Sequence, residues 1–228
     1  MNMKNNEKRF SLVSIGVLMA VILTAGLVFA SLAEDLVNRE DLTTFDPIFG
    51  NWLISQTTLT GDQIFSVLTF LGNALVISTG TALLGFWFAR KKYWDKLFFL
   101  FGSVGGSATL NLLLKNIFQR TRPFFLHAYL VDTGYSFPSG HAMISLAFYG
   151  ALAILAVMMF KSRRAKILAV IGAFLLSALI GFSRLYLGVH FLTDILAGWS
   201  LSILWLAVCV LGVQWFRRSS LFLQIQQK

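Results

Sequence analysis

The chain is 228 residues long, 57% hydrophobic and 13% charged, with a net charge of +9. Soluble domains carry nearly twice that share of charge, so the composition excludes an ordinary soluble protein and points to a membrane protein folded as one bundle, 1–228. The positive balance has no basic, aromatic-interleaved stretch behind it, which argues against nucleic acid as a partner, and the single Cys209, inside an apolar run, excludes a disulfide framework within the chain.

A helix needs about 20 apolar residues to cross a bilayer, and helices are the natural spanning element because an open sheet leaves backbone groups unpaired in lipid. The first predicted span, 10–32, carries no charge. Lys8 and Arg9 before it and Ser31-Leu32-Ala33 at its end also fit a secretory signal. Its apolar stretch exceeds the usual signal core, which favours a retained helix. Between Ala33 and Gly61, the residues Leu42, Phe45, Ile48, Phe49, Trp52 and Leu53 recur at spacings of three and four. They predict an amphipathic helix in the outer interface, which caps the bundle or, as the sharper alternative, shapes a lipid entrance. The second span, 63–89, is again uncharged. The third, 97–118, is uncharged until Lys115, and its Gly102-x3-Gly106 and Ser103-x3-Ser107 pairs predict close helix packing. The fourth, 141–160, begins with His141. The fifth, 167–183, stops at Arg184 and reaches spanning length only by continuing past it, so that end is expected to be polar and buried in protein. The sixth, 195–216, follows Asp194.

Charge then orients the six spans. Lys4, Lys8 and Arg9; Arg90, Lys91, Lys92 and Lys96; Lys161, Arg163, Arg164 and Lys166; and Arg217 and Arg218 all fall on one side if the spans alternate. That side is cytoplasmic by the positive-inside rule, and both termini lie there. The first outer loop is acidic, with Glu34, Asp35, Glu40, Asp41, Asp46 and Asp62. The same alternation puts Lys115, His141, Arg184, His190 and Asp194 on the outer face, although none of them was used to derive it.

Three short runs hold those residues. In Lys115-x6-Arg122-Pro123 the two cations are seven apart, about two helical turns on one face, with Pro123 ending the helix. Such a pair suits a dianionic phosphate. Taken alone, it is better read as two cations snorkelling to lipid headgroups. In Pro138-Ser139-Gly140-His141, Ser139 is a natural N-cap, Gly140 lets backbone approach a ligand, and the helix start offers N–H groups to an anion. An ordinary capped helix explains Ser139 but not His141, one of only three histidines. In Ser183-Arg184-x5-His190-x3-Asp194, the carboxylate four residues on can accept from one imidazole nitrogen, leaving the other free to attack. An ionisable pair at the start of an apolar span is better read as functional than as surface decoration. His127 is read as solvated, and Arg120 and Asp132 as local structure of the same loop. Phe124, Phe125, Tyr129 and Tyr135 fit a lipid path and an aromatic belt equally well.

Together the three runs resemble, residue for residue, the signature of the type 2 phosphatidic acid phosphatase and vanadium haloperoxidase superfamily, over roughly residues 60–215 and in its bacterial integral-membrane branch. The resemblance implies an all-α polytopic bundle of six transmembrane helices. It implies His190 as the nucleophile that forms a phosphohistidine, Asp194 as its orienting partner, and His141 as the acid that protonates the leaving oxygen and then the base that activates water. Lys115, Arg122, Ser139, Gly140 and Arg184 would hold the phosphoryl oxygens. Residue chemistry agrees, since phosphoryl transfer rests on positioning and charge stabilisation. No Asp-x-Asp or His-rich metal spacing occurs, so no metal or other cofactor is expected.

The expected activity is that of a lipid phosphatase in a bacterial cytoplasmic membrane, with its site on the outer side and a membrane lipid phosphate as substrate. Undecaprenyl diphosphate fits an outward site best; phosphatidylglycerophosphate, phosphatidic acid, diacylglycerol diphosphate and lipid A phosphates are alternatives. Phosphotransfer to an alcohol through the same phosphohistidine is a second enzymatic reading. A non-catalytic anion site is a third, although transporters set their ionisable groups near the midplane rather than at helix ends. Oligomeric state has no sequence signal.

Overall fold

In the computed structural model the apolar pattern becomes eight helices among the described residues, 12–124 and 133–218. They are α1 (Leu12–Asn38), α2 (Asp41–Ser55), α3 (Leu59–Phe70), α4 (Ala74–Arg90), α5 (Trp94–Phe118), α6 (Gly140–Met159), α7 (Arg163–Tyr186) and α8 (Leu192–Arg218). Lys4, Lys8, Arg9, Phe125, His127, Tyr129 and Asp132 lie outside the described residues. Among the described residues six apolar stretches are long enough to cross a membrane, and α2 is the extra helix between the first two. The fifth span does run past Arg184, ending at Tyr186.

The second span differs from expectation. Instead of one helix over 63–89 it is two, α3 and α4, separated at Leu71-Gly72-Asn73. The Asn73 side chain accepts from Leu75 N at 2.9 Å and so caps α4, the competition with helix continuation that Asn offers. The Leu71 carbonyl released by the break accepts from the Tyr149 hydroxyl of α6 at 2.9 Å, so that acceptor is not stranded.

In lipid, helices associate through close packing and hydrogen bonds rather than through escape from water. α6 is the centre, packed against α5, α7 and α8, while α1 runs along α8. The main core joins Phe99, Leu100 and Val104 of α5 to Phe148, Ala151 and Leu155 of α6, Ile77 and Phe88 of α4, and Leu206 of α8. Leu23, Leu83, Phe86, Leu168 and Phe174 project outward, as a lipid-facing surface requires. The small residues of α5 are filled from α8. Trp205 lies on Gly106, and its indole nitrogen donates to Gly102 O at 2.9 Å. Backbones come closest at Gly198 instead: a Cβ there would sit 2.9 Å from Ser139 O and 3.2 Å from Met143 N. That glycine brings the first turns of α6 and α8 together.

The helix over 41–55 forms as expected, but its apolar residues divide. Phe45, Ile48 and Trp52 are exposed, while Leu53 packs inward with Ala142, Leu185 and Ile195, and Phe49 packs against that cluster. Asp46 lies on the inward side and is only 1% exposed, so this carboxylate is not part of an acidic solvent loop.

Candidate active site

The C-terminal ends of α5 and α7 meet the N-terminal ends of α6 and α8, and the three sequence runs meet with them. Lys115, in the last turn of α5, donates through Nζ to the Tyr135 carbonyl. Arg122 does not lie two turns further along that helix. α5 stops at Phe118 with Gln119 in the left-handed region at φ 46°, and Arg122 arrives through the loop. Its Nε donates to Thr133 O (3.2 Å) and Gly134 O (3.1 Å), and its Nη1 to Val189 O (2.9 Å). These carbonyls hold the guanidinium against the loop that carries His190.

Ser139 caps α6, accepting from Ala142 N at 3.5 Å, while its own N–H donates to the Asp194 carbonyl at 3.0 Å. That bond ties the second run to the third. Asn111 of α5 secures the turn, donating through Nδ2 to Pro138 O at 3.1 Å. A Cβ on Gly140 would come 3.1 Å from Asn111 Oδ1, so Asn111 is one reason that position is kept bare. His141 is half-buried in the first turn of α6, with its ring 3.2 Å from where a Cβ on Gly72 would stand. The break in the second span thus lies beside this histidine.

Arg184 is 4% exposed and donates through Nη1 to Thr69 Oγ1 of α3 at 2.9 Å. Beyond α7, Gly188 at φ 75° turns the chain, and His190 sits in that turn before α8 begins. His190 and Asp194 therefore do not share a helix face, yet their contact forms. Asp194, in the first turn of α8, accepts at Oδ2 from both His190 Nδ1 (3.1 Å) and Phe191 N (2.9 Å). The second bond is the carboxylate half of a capping box. An ionised carboxylate only accepts, so Nδ1 carries the proton and Nε2 the lone pair. That lone pair accepts from Arg122 Nη1 at 3.1 Å.

His190 is 3% exposed, and its pKa is pushed down to about 4. Burial is the main cause; the Asp194 hydrogen bond and charge pull upward, and the Arg122 and Arg184 charges push down. The ring is accordingly neutral at physiological pH, the form a nitrogen nucleophile requires. The linkage sign follows. Between pH 6.5 and about 4 the unfolded chain takes a proton that the folded one refuses, so the folded state loses on the order of 3 kcal/mol as pH falls through that window. The thermal midpoint of the native protein in detergent should thus drop, relative to that of His190→Gln, between pH 7 and pH 4.5. A constant difference across that range would contradict the buried, neutral imidazole.

Arg120, read from sequence as local structure, is central. Its Nη1 donates to Asp194 Oδ1 (2.8 Å) and Thr193 Oγ1 (2.6 Å), its Nη2 to Asp46 Oδ2 (2.7 Å), and its guanidinium carbon lies 4.2 Å from the Phe191 ring centroid. Burial pushes the Asp46 carboxyl upward, against hydrogen bonds from Thr193 and Arg120 that pull it down. Sequence reasoning missed Asp46, Arg120, Thr193, Asn111 and Thr69. One signal was available: Asp46 shares the helical face of Phe49 and Leu53, the inward face of α2. Of the aromatic residues proposed for a lipid path or belt, Phe124 is 93% exposed and Tyr135 is at the surface with its carbonyl on Lys115.

A model of the PAP2 superfamily matches residues 96–218. The chain is 37% identical over 151 residues to phosphatidylglycerophosphatase B of Bacillus subtilis, covering 63% of this chain and 70% of that protein. It is 28% identical over 164 residues to undecaprenyl-diphosphatase BcrC of the same organism, covering 68% and 75%. Its fold is similar to the crystal structure of a transmembrane PAP2-type phosphatidylglycerolphosphate phosphatase from Bacillus subtilis, with a TM-score of 0.79, 28% identity, and coverage of 86% of this chain and 98% of that one.

Proposed function

This chain belongs to the PAP2 superfamily, and from that premise we propose that it removes the terminal phosphate of a membrane lipid through a phosphohistidine on His190, without a metal. The observation that carries the reading is the line Asp194–His190–Arg122: a carboxylate on Nδ1, a neutral ring, and a guanidinium beside Nε2. In the first step Nε2 attacks phosphorus, the P–N bond forms, and the P–O bond to the lipid breaks. His141 gives its proton to the departing oxygen. In the second step His141 takes a proton from water, the hydroxide oxygen bonds to phosphorus, and the P–N bond breaks to release phosphate and neutral His190. Arg122, Arg184 and Lys115 neutralise the equatorial oxygens, with Ser139 and the Gly140 backbone at the start of α6 beside them.

The site faces outward on this reading. The basic residues Arg90, Lys91, Lys92, Lys96, Lys161, Arg163, Arg164 and Lys166 occupy the connections at the opposite helix ends, the pattern of a cytoplasmic face in a bacterial membrane. Phosphatidylglycerophosphate stands first among substrates, because it is in the names of the 37%-identical relative and of the similar crystal structure, both from Bacillus subtilis. Undecaprenyl diphosphate stands second, on the match to BcrC and the outward orientation.

The test is phosphate release by purified protein in detergent with EDTA, from a panel of phosphatidylglycerophosphate, undecaprenyl diphosphate, phosphatidic acid and diacylglycerol diphosphate, ranked by kcat/KM. Release undiminished by EDTA is expected, as is competitive inhibition by vanadate, which adopts the five-coordinate geometry of the transferring phosphoryl. No release from any lipid would end the hydrolase reading, and release only on addition of an alcohol would favour phosphotransfer.

A further inference from the structure

Two carboxylates at this site are completely buried and share one guanidinium. The side chains of Asp46 and Asp194 are 0% exposed and that of Arg120 is 10% exposed. Asp46 receives donors at both oxygens: Thr193 N at Oδ1 (3.1 Å), and Arg120 Nη2 (2.7 Å) together with the Thr193 hydroxyl at Oδ2. Arg120 Nη1 then reaches Thr193 Oγ1 (2.6 Å) and Asp194 Oδ1 (2.8 Å). Every contact on Asp46 comes from a donor, so an amide there would turn its NH2 toward another N–H or O–H. Removing one member would leave a buried charge uncompensated.

This network does more than join α2 to α8. Asp194 holds His190 through Oδ2, and its other oxygen is held only by Arg120 among the bonds it makes. Arg120 on Oδ1, acting with Phe191 N on Oδ2, therefore sets the rotation of the carboxylate about its own axis, and with it the direction of the Oδ2 lone pair that fixes Nδ1–H. Asp46 and Thr193 set where Arg120 stands, and the Phe191 ring covers one face of the guanidinium. We infer that Asp46 and Arg120, bridged by Thr193, are positioning residues for the hydrolytic step, a relay that runs from α2 through one guanidinium to the Asp194–His190 pair. The inference rests on the reading of His190 as nucleophile. It adds that α2, whose Phe45, Ile48 and Trp52 face outward, is coupled to the chemistry through its inward carboxylate.

A relay that acts through Asp194 makes a claim that a merely structural cluster does not. Asp46→Asn and Arg120→Gln should each lower kcat by roughly 10–100-fold, the usual effect of an outer partner that orients a first ligand. KM and the vanadate inhibition constant should stay within about threefold, because the phosphate-holding Arg122, Arg184 and Lys115 bond elsewhere. In an Asp194→Asn background, adding Arg120→Gln should cost little more, since its route to His190 is already cut. Thr193→Val keeps every charge and should lower kcat in the same direction, which keeps the idea testable if a charge variant does not fold. Additive losses in the double variant, or KM and the vanadate constant moving as far as kcat, would overturn the relay, as would an unchanged kcat in Thr193→Val together with either folded charge variant. Native protein that releases no phosphate from any lipid would instead count against the hydrolase reading itself, so the two failures are distinguishable.

Discussion

His190→Ala is expected to abolish turnover, with a loss of roughly 10⁴-fold or more in kcat, because it removes the atom that bonds to phosphorus. The side chain is buried and pinned on both nitrogens, by Asp194 on Nδ1 and by Arg122 beside Nε2. Deleting it leaves a cavity but no orphaned charge beyond Asp194, which keeps Arg120 and Phe191 N. The variant should therefore still fold and still bind inorganic phosphate, while losing the five-coordinate binding of vanadate that needs Nε2, which separates binding from chemistry. Alkaline denaturing quench of the native enzyme during turnover on labelled lipid should trap a base-stable, acid-labile phosphoenzyme that His190→Ala lacks. Turnover retained in the alanine variant would end the reading of His190 as the nucleophile.

Asp194→Asn should cost roughly 10³–10⁴-fold in kcat with modest change in KM, the size seen when a carboxylate that fixes a catalytic imidazole becomes an amide. The geometry here makes the reason specific. Oδ2 accepts from two N–H groups and Oδ1 from a third. An amide has one accepting oxygen, so its NH2 must face either Arg120 or the Phe191–His190 side. In the first arrangement a charged donor faces a donor. In the second, His190 is driven to present a lone pair at Nδ1 and carry its proton on Nε2, which cannot attack. Steady-state assay on the preferred lipid measures the effect, and a loss under about tenfold would remove the orienting role from Asp194.

The residues proposed to hold the phosphate were legible as residue types, but not as placements. Lys115 and Arg122 are seven apart and suggested one helix face, whereas Gln119 breaks the helix and Arg122 is held by three carbonyls of other segments. His190 and Asp194 are four apart and suggested the same; their contact forms because Gly188 folds the turn back onto α8. In the second case the spacing found the partner and missed the backbone that joins the pair; in the first it missed the break in the helix. Spacing along a chain records periodicity, and a loop has none.

By itself the sequence determined the class, the number of spans, the extra helix before the second of them, and the residues of the three runs. Those follow from local composition, since apolar length and capping residues act over a turn or two and lipid leaves few alternatives for a backbone. Only the tertiary structure decided that the second span breaks beside His141, that Gly198 brings α6 and α8 within van der Waals reach, and that Asp46 lies under Arg120. The last was beyond sequence because Asp46 and Arg120 are 74 residues apart. A buried ion pair is specified by the meeting of two distant segments in a medium of low dielectric, and neither segment carries a mark of the other.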